Sequence, residues 1–425
     1  MNITLAIEDK ANTVNKNSIK VQTARKVFRT IQKYGPIERK QIQEHTNLSW
    51  GAVSQSTSML IRSGILVQNS NPTGHVGKIP YTVDINTDDN YLVGIDLHTS
   101  MVKALLFNLK GEVLESRIAA ILKPEAVIHQ LITVVDSLLA SYIHIKNILL
   151  IGFSAPGNID SERGILKYLV YQPSWKNLEI VSALESRFQI PTFMFHDPDC
   201  IIMAEKYFGI IFQERYKNAC AVYLDGGAGM STMINSKIFT SRGNNSGELG
   251  HTTAVPGGTL CNCGKRGCLE MYVSKHGIVQ QYAEALNRGE ASNFTQSTFD
   301  MNYESIRLSA EQGDPLCRRL FLQAGELMGR AFASLASILE PEAIILYGDL
   351  INHREVFQDI LEETFQNEKY PHSTTKLLYS KLDGSAPSLG AAFYSFDLML
   401  DNFLARALEY GGRQQKAESR EAVLA

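Results

Sequence analysis

A chain of 425 residues exceeds what one ordinary hydrophobic core organises, so two or more domains are expected. With 44% hydrophobic and 20% charged residues the composition is that of a soluble globular protein, and no run of about 18 uncharged apolar residues offers a membrane span. The opening residues, MNITLAIEDK, lack the basic-then-apolar order of a secretory signal, so a cytoplasmic location is expected. The net charge of −3 hides an asymmetry: residues 1–85 carry 11 Lys/Arg against 5 Asp/Glu, and the remainder 30 against 39. A small basic module on a larger acidic body suits nucleic-acid contact by the first part alone.

Residues 1–18 are polar and without a helical stripe, and order is not expected there. From Thr23 to Tyr34 the apolar positions Val27, Ile31 and Tyr34 fall at helical spacing, and Gly35-Pro36 ends that helix. A second short helix is expected over 38–45 with Ile42 inward. Asn47-Leu48-Ser49 makes a tight turn, and Ser49 suits the N-cap of a third helix over 50–63 that buries Val53, Met59 and Leu60. Two short helices, a tight turn and a longer third helix make a helix-turn-helix, although a purely structural three-helix bundle gives the same pattern. The third helix offers Trp50, Ser54, Gln55 and Ser58 outward, with Ser49 at its start, where side chains reach base edges. Arg39 and Lys40 are placed to hold backbone phosphates. Strand Ile65-Leu66-Val67, a loop from Asn69 to Gly77 and strand Tyr81-Thr82-Val83 form a wing, with Lys78 in reach of phosphates or the minor groove.

On these residues the head resembles the DNA-binding end of ROK-family repressors. The matching positions are Gly35-Pro36-Ile37-Glu38-Arg39, Leu48-Ser49, Val53-Ser54, Leu60, Gly64-Ile65 and Gly77-Lys78-Ile79-Pro80. Lys78 replaces the usual Arg and Ile79 is a departure; lysine lacks the planar fork that grips a narrow groove.

In the body, Tyr91–Asp96, Met101–Leu109 and Glu112–Ala119 read as the opening strands of the two-lobed, ribonuclease-H-like fold of sugar kinases, and the ROK resemblance continues to about Ala392. The implied fold class is α/β, a winged helix-turn-helix joined to an actin- or sugar-kinase-like ROK domain. Three segments that hold ATP phosphates in ROK kinases are altered. The first reads Gly94-Ile95-Asp96-Leu97-His98-Thr99, with side chains where glycines admit phosphate; the second reads Asp225-Gly226-Gly227-Ala228-Gly229; the third reads Gly348-Asp349. Three changes directed at one ligand imply that ATP is no longer bound and that no catalytic residue operates. Asp197 stands where the family's general base stands, preceded by His196 in place of asparagine.

Of six cysteines, Cys200, Cys220 and Cys317 are scattered and read as packed thiols, while Cys261, Cys263 and Cys268 cluster. With His251 of Gly247-Glu248-Leu249-Gly250-His251 they supply one imidazole and three thiolates, a tetrahedral set for one structural Zn2+ per chain. The ROK resemblance further implies that Glu248, His251 and Glu270, together with His196 and Asp197, contact a sugar; pairing of the glutamates with Lys265 or Arg266 is the alternative. The expected organisation is a flexible stretch over 1–18, a winged helix over 19–85, a ligand-sensing domain over 86–408 and a loose polar tail over 409–425. The resemblance implies a homodimeric or dimer-of-dimers repressor of carbohydrate metabolism, bound to double-stranded operator DNA and controlled by a sugar or sugar derivative. A sugar kinase fused to a DNA-binding head is the rival, and so is a repressor answering a protein or phosphorylated metabolite.

Overall fold

The structure, a computed structural model, describes residues 18–70, 81–142, 147–241, 246–293 and 302–424, without the side chains of Ser70 and residues 416–424. The wing tip with Lys78 and the polar stretch 1–17 lie outside the described residues. By contact density the chain divides into two units: Met1–Ser154, Glu179–Met194 and Ala391–Ala425 form the first, and Ala155–Leu178 with Phe195–Gly390 the second.

The first unit begins with the head. Helix α1 spans Ile19–Tyr34, starting four residues before the expected Thr23, because the Ser18 side chain accepts from the Val21 amide and the apolar stripe runs back through Ala24 to Val21. A two-residue strand, β1 (Ile37–Glu38), leads into α2 (Arg39–Thr46), whose entry is fixed by the Glu38 amide donating to Gln41 Oε1 at 3.1 Å. Asn47, in the left-handed region at φ 56°, ends α2, and Ser49 caps α3 (Trp50–Arg62). Strands β2 (Leu66–Ser70) and β3 (Tyr81–Ile85) complete a sheet of order β1-β3-β2. This is the winged helix expected. Met59 is only half-buried, and Ser56 and Thr57 take inward places instead.

The same unit holds β4 (Tyr91–Leu97), β5 (Met101–Asn108), β6 (Val113–Ala120), α4 (Val127–Ser141), β7 (Ile148–Ala155), α5 (Ile180–Phe188) and β11 (Thr192–His196), in sheet order β11-β7-β4-β5-β6. Strand β4 is buried along its whole length, while β6 at the sheet edge alternates toward solvent. The last helix, α14, runs Ala386–Leu424. The segment from 409, expected to be a loose tail, instead continues this helix. A Cβ on Gly411 would stand 2.4 Å from the Met59 carbonyl oxygen of α3, so glycine is what this approach demands. Further along α14, Asp397 pairs with Arg25 at 2.7 Å and with Arg29, Asp401 pairs with Arg25 at 2.9 Å, and the Phe28 and Phe396 rings meet edge to face at 6.0 Å.

The second unit contains β8 (Asn158–Asp160), β9 (Ile165–Leu169) and β10 (Gln172–Glu179), then α6 (Asp197–Phe208) and α7 (Ile210–Glu214). Its main sheet is built from β12 (Ala219–Leu224), β13 (Ala228–Ile234), β14 (Lys237–Ile238), β15 (Ala343–Tyr347) and β16 (Lys376–Tyr379), in order β14-β13-β12-β15-β16. An antiparallel meander flanked by two parallel strands thus occurs once in each unit, the ribonuclease-H-like duplication expected of a sugar-kinase fold. Helices α8 (Glu270–Val273), α9 (Lys275–Asn287), α10 (Tyr303–Glu311), α11 (Pro315–Leu339), α12 (Asp349–Asn352) and α13 (Gln358–Glu368) complete the unit. One core joins Val222 and Leu346 of the sheet to Phe321, Met328 and Phe332 of α11, and it includes Cys261, Cys268 and Leu269. Cys200, Cys220 and Cys317 are buried thiols in no disulfide. Among the described residues no helix is long and apolar enough to cross a membrane.

Candidate metal, ligand and DNA sites

The metal candidate grows from a loop that folds back on itself. The Cys261 amide donates to the Lys265 carbonyl at 2.7 Å, the Gly264 amide donates to Cys261 at 2.9 Å, and Thr253 and Leu260 bridge to Cys268 and Arg266. Gly267, at φ 76°, sits where a Cβ would collide with the Val255 carbonyl oxygen at 1.6 Å, so the loop closes only with glycine there. One donor atom from each of His251, Cys261, Cys263 and Cys268 lies within 4.8 Å of all the others. Cys261 Sγ is 3.7 Å from His251 Nδ1, and the Cys263 and Cys268 sulfurs are 3.6 Å apart. Tetrahedral bonds of about 2.3 Å to sulfur put neighbouring donors roughly 3.7 Å apart, so the set fits a zinc-sized ion. Burial together with the neighbouring thiols pushes Cys268 up to about 12, a cost that a cation at the centre removes. Lys265 Nζ donates to the His251 carbonyl at 2.8 Å, holding a positive charge beside the thiols.

The ligand candidates surround this loop. His251 turns its other ring nitrogen, Nε2, toward Glu248 Oε2 at 3.8 Å. Desolvation and the nearby Glu270 carboxylate push Glu248 upward, opposed by His251. Glu270 is buried: its Oε2 accepts from the Ala228 amide at 3.0 Å and its Oε1 from the Tyr171 hydroxyl at 2.6 Å. Neither glutamate is held by the loop's cations, since Arg266 donates to the Gly258 carbonyl and Lys265 to His251. His196 ends β11, and Asp197 opens α6 with its Oδ1 3.4 Å from His196 Nε2. Burial pushes His196 down to about 4, so its ring is neutral near pH 7. The start of β13 is common ground: Ala228 binds Glu270, a Cβ on Gly250 would meet the Ala228 carbonyl oxygen, and one on Gly229 would lie 3.9 Å from His196 Cε1.

The three segments that depart from the kinase pattern carry side-chain pairs. In the first unit His98 Nε2 lies 2.8 Å from the buried Asp96 carboxylate. In the second, Lys275 Nζ bridges Asp225 Oδ1 at 2.8 Å and Asp349 Oδ2 at 2.6 Å, and the Lys275 amide donates to the Asp225 carbonyl. Sequence reading identified both acids and missed the lysine between them; its only signal is a cation five residues after Glu270. Tyr171 was likewise missed as a partner of Glu270.

On the head, Trp50 is 54% exposed and Gln55 is exposed, while Ser54 and Ser58 are half-buried on the same side of α3. Ser49 is engaged as the cap. Arg39 bonds Thr57 Oγ1 at 2.9 Å and Gln68 Oε1 at 3.1 Å, tying α2 to α3 and β2, whereas Lys40 is exposed.

A winged helix followed by a duplicated kinase-like fold with a His/Cys corner defines the class, and the family model described as "ROK family" matches residues 92–396: the chain belongs to the ROK family. Among curated proteins it is similar to the DNA-binding transcriptional dual regulator NagC of Escherichia coli strain K12, 26% identical over 93% of this chain and 97% of that protein. The xylose repressor of Caldicellulosiruptor bescii is 27% identical over 86% of this chain and 92% of the repressor. Among solved structures, a ROK family transcriptional regulator homologous to the E. coli MLC protein superposes with TM-score 0.74 at 25% identity, covering 92% of this chain and 97% of the regulator. A ROK glucokinase from Streptomyces griseus, solved with glucose and AMPPNP, shares the fold at 23% identity and TM-score 0.62, over 72% of this chain and 98% of the enzyme.

Proposed function

We propose that this chain is a sugar-responsive, DNA-binding transcriptional repressor of the cytoplasm that has given up kinase chemistry. The observation that carries the reading is the union, in one chain, of an open α3 reading face with a ROK body whose second and third phosphate segments are bridged by Lys275. A phosphate entering there meets two carboxylates already paired to a lysine, and phosphoryl transfer depends mainly on positioning and neutralising phosphates. The repressor names among its relatives support the same reading.

In this proposal the head over 19–85 presents Trp50, Ser54, Gln55 and Ser58 to base edges, with Lys40 and Lys78 on phosphates and Arg39 bracing the helices. The sensing domain over 86–408 binds a sugar or sugar derivative through His196, Asp197, Glu248, His251 and Glu270. One zinc held by His251, Cys261, Cys263 and Cys268 supplies a fixed corner, since four protein ligands leave no open position for water. Binding as a homodimer to half-sites about one turn, roughly 34 Å, apart would make repression sensitive to small changes in head spacing.

A kinase reading retains one supporting observation: Asp197 opens α6 in the place of the family's general base. The deciding experiment combines two measurements on the full chain. Fluorescence anisotropy with DNA from the gene's own upstream region should show binding that changes on adding N-acetylglucosamine, glucose or xylose, and that disappears when residues 1–85 are deleted. Incubation with ATP, Mg2+ and the same sugars should release no ADP; turnover near an enzyme's typical value of about 10 per second would hand the case to the kinase.

A further inference from the structure

The turn between β9 and β10 delivers Tyr171 to Glu270, and the chemistry of that contact is the chemistry of a bound sugar. Glu270 is 6% exposed, and a buried carboxylate is stable only when its oxygens are hydrogen-bonded. Its Oε2 has the Ala228 amide at 3.0 Å; its Oε1 has the Tyr171 hydroxyl at 2.6 Å. An O–H donated to a charged carboxylate oxygen is what a sugar hydroxyl would also offer. The Tyr171 ring lies against His276, centroids 4.5 Å apart, on a short turn whose Val170 is 37% exposed. Four residues further on, Trp175 is fully buried in β10, whereas Tyr171 stands on the turn before that strand.

We propose that Tyr171 is a built-in surrogate for a ligand hydroxyl: without ligand its O–H fills the donor place on Glu270, and a sugar hydroxyl takes that place by displacing it. The proposal rests on the reading of Glu270 as a sugar acceptor. Tyr171 then sets the effector threshold, because each ligand competes with an internal donor, and it favours sugars whose free hydroxyl reaches Glu270 over those in which that hydroxyl is substituted.

The test uses the full chain and the variant Y171F, which keeps the ring and removes only the hydroxyl. Calorimetric titration with N-acetylglucosamine, glucose and xylose should show the sugar that binds the wild type binding Y171F about 3- to 10-fold more tightly, the scale of one net hydrogen bond. E270Q should bind it more weakly than the wild type. Hydrogen exchange supplies a second reading: residues 170–175 should exchange faster in ligand-free Y171F, and faster in the wild type once sugar is added. A sugar that binds Y171F equally or less well, or unchanged exchange over 170–175, overturns the surrogate. If the wild type binds no sugar, the proposed sugar-sensing function fails and the surrogate falls with it; if the wild type binds and Y171F gains nothing, the surrogate alone fails.

Discussion

Two charged corners of the second unit solve one electrostatic problem in opposite ways. The loop corner gathers donor atoms of His251 and three cysteines within 4.8 Å, a set that could hold a metal ion. The β12–β15 corner gathers Asp225 and Asp349 and brings its own cation, Lys275. A site with a missing charge can be loaded and emptied; a site that carries its counter-charge is closed to ligands that need the same place. The contrast is between a corner whose donors could accept a cation and one whose carboxylates are already paired.

Emptying the loop corner should produce the largest effect. Cys263→Ser, or prolonged chelation, should abolish the one-per-chain zinc measured by atomic emission. Since metal binding is coupled to folding, the melting temperature should drop by about 10 °C or more. A zinc-free protein of unchanged stability would break the comparison at its first term.

A smaller effect is expected at the other corner. Lys275→Ala leaves two carboxylates facing each other at partly exposed positions, for a loss of about 1–2 kcal/mol seen in denaturant melts. Removing all three charges, with Asp225→Asn, Asp349→Asn and Lys275→Met, should recover most of that loss, because a well-packed neutral set competes with an ion cluster. Chelator should leave this corner's contribution unchanged, whereas raised salt should weaken it.

The pH profile gives the finest test. His196, ordinarily near 6.5, is pushed down to about 4 by burial, so it favours the fold above 6.5 and loses that advantage as pH falls toward 4. Asp199, hydrogen-bonded by Ser231, is pushed by burial from 3.8 to about 6, so its contribution is full below 3.8 and is lost as pH rises through 6. The two slopes oppose each other between pH 4 and 6. His196→Gln should therefore flatten the acid loss of stability in that window, and Asp199→Asn should steepen it while raising stability near neutral pH by about 1 kcal/mol or more. Chemical melts at several pH values with zinc saturated would check both signs.

How much of this was legible beforehand depended on distance along the chain. The head's helices, the β4–β6 meander and the His/Cys set were readable because their signals are local: caps, apolar periodicity, and three cysteines within eight residues. Strand β1 has two residues and no pattern to show. The end of α14 was read as a loose tail because it is polar; the close approach of Gly411 to the main chain of Met59, hundreds of residues earlier, leaves no local signal. Lys275, and the partnership of Tyr171 with Glu270, were missed for the same reason: the partners are set by topology. The bonds of Arg39 to Thr57 and Gln68 were likewise not legible, since both partners lie on other elements of the head.

The chain has two tryptophans, and the fold places them at opposite extremes of polarity: Trp50 stands 54% exposed at the start of the reading helix, and Trp175 is fully buried beside the turn that carries Tyr171. An indole in water emits to the red of one in an apolar core, so the protein's own fluorescence should divide into two bands, one in each unit. Operator DNA should quench the red band and an effector should perturb the blue one. The coupling between the two events could then be followed in a single cuvette without any label.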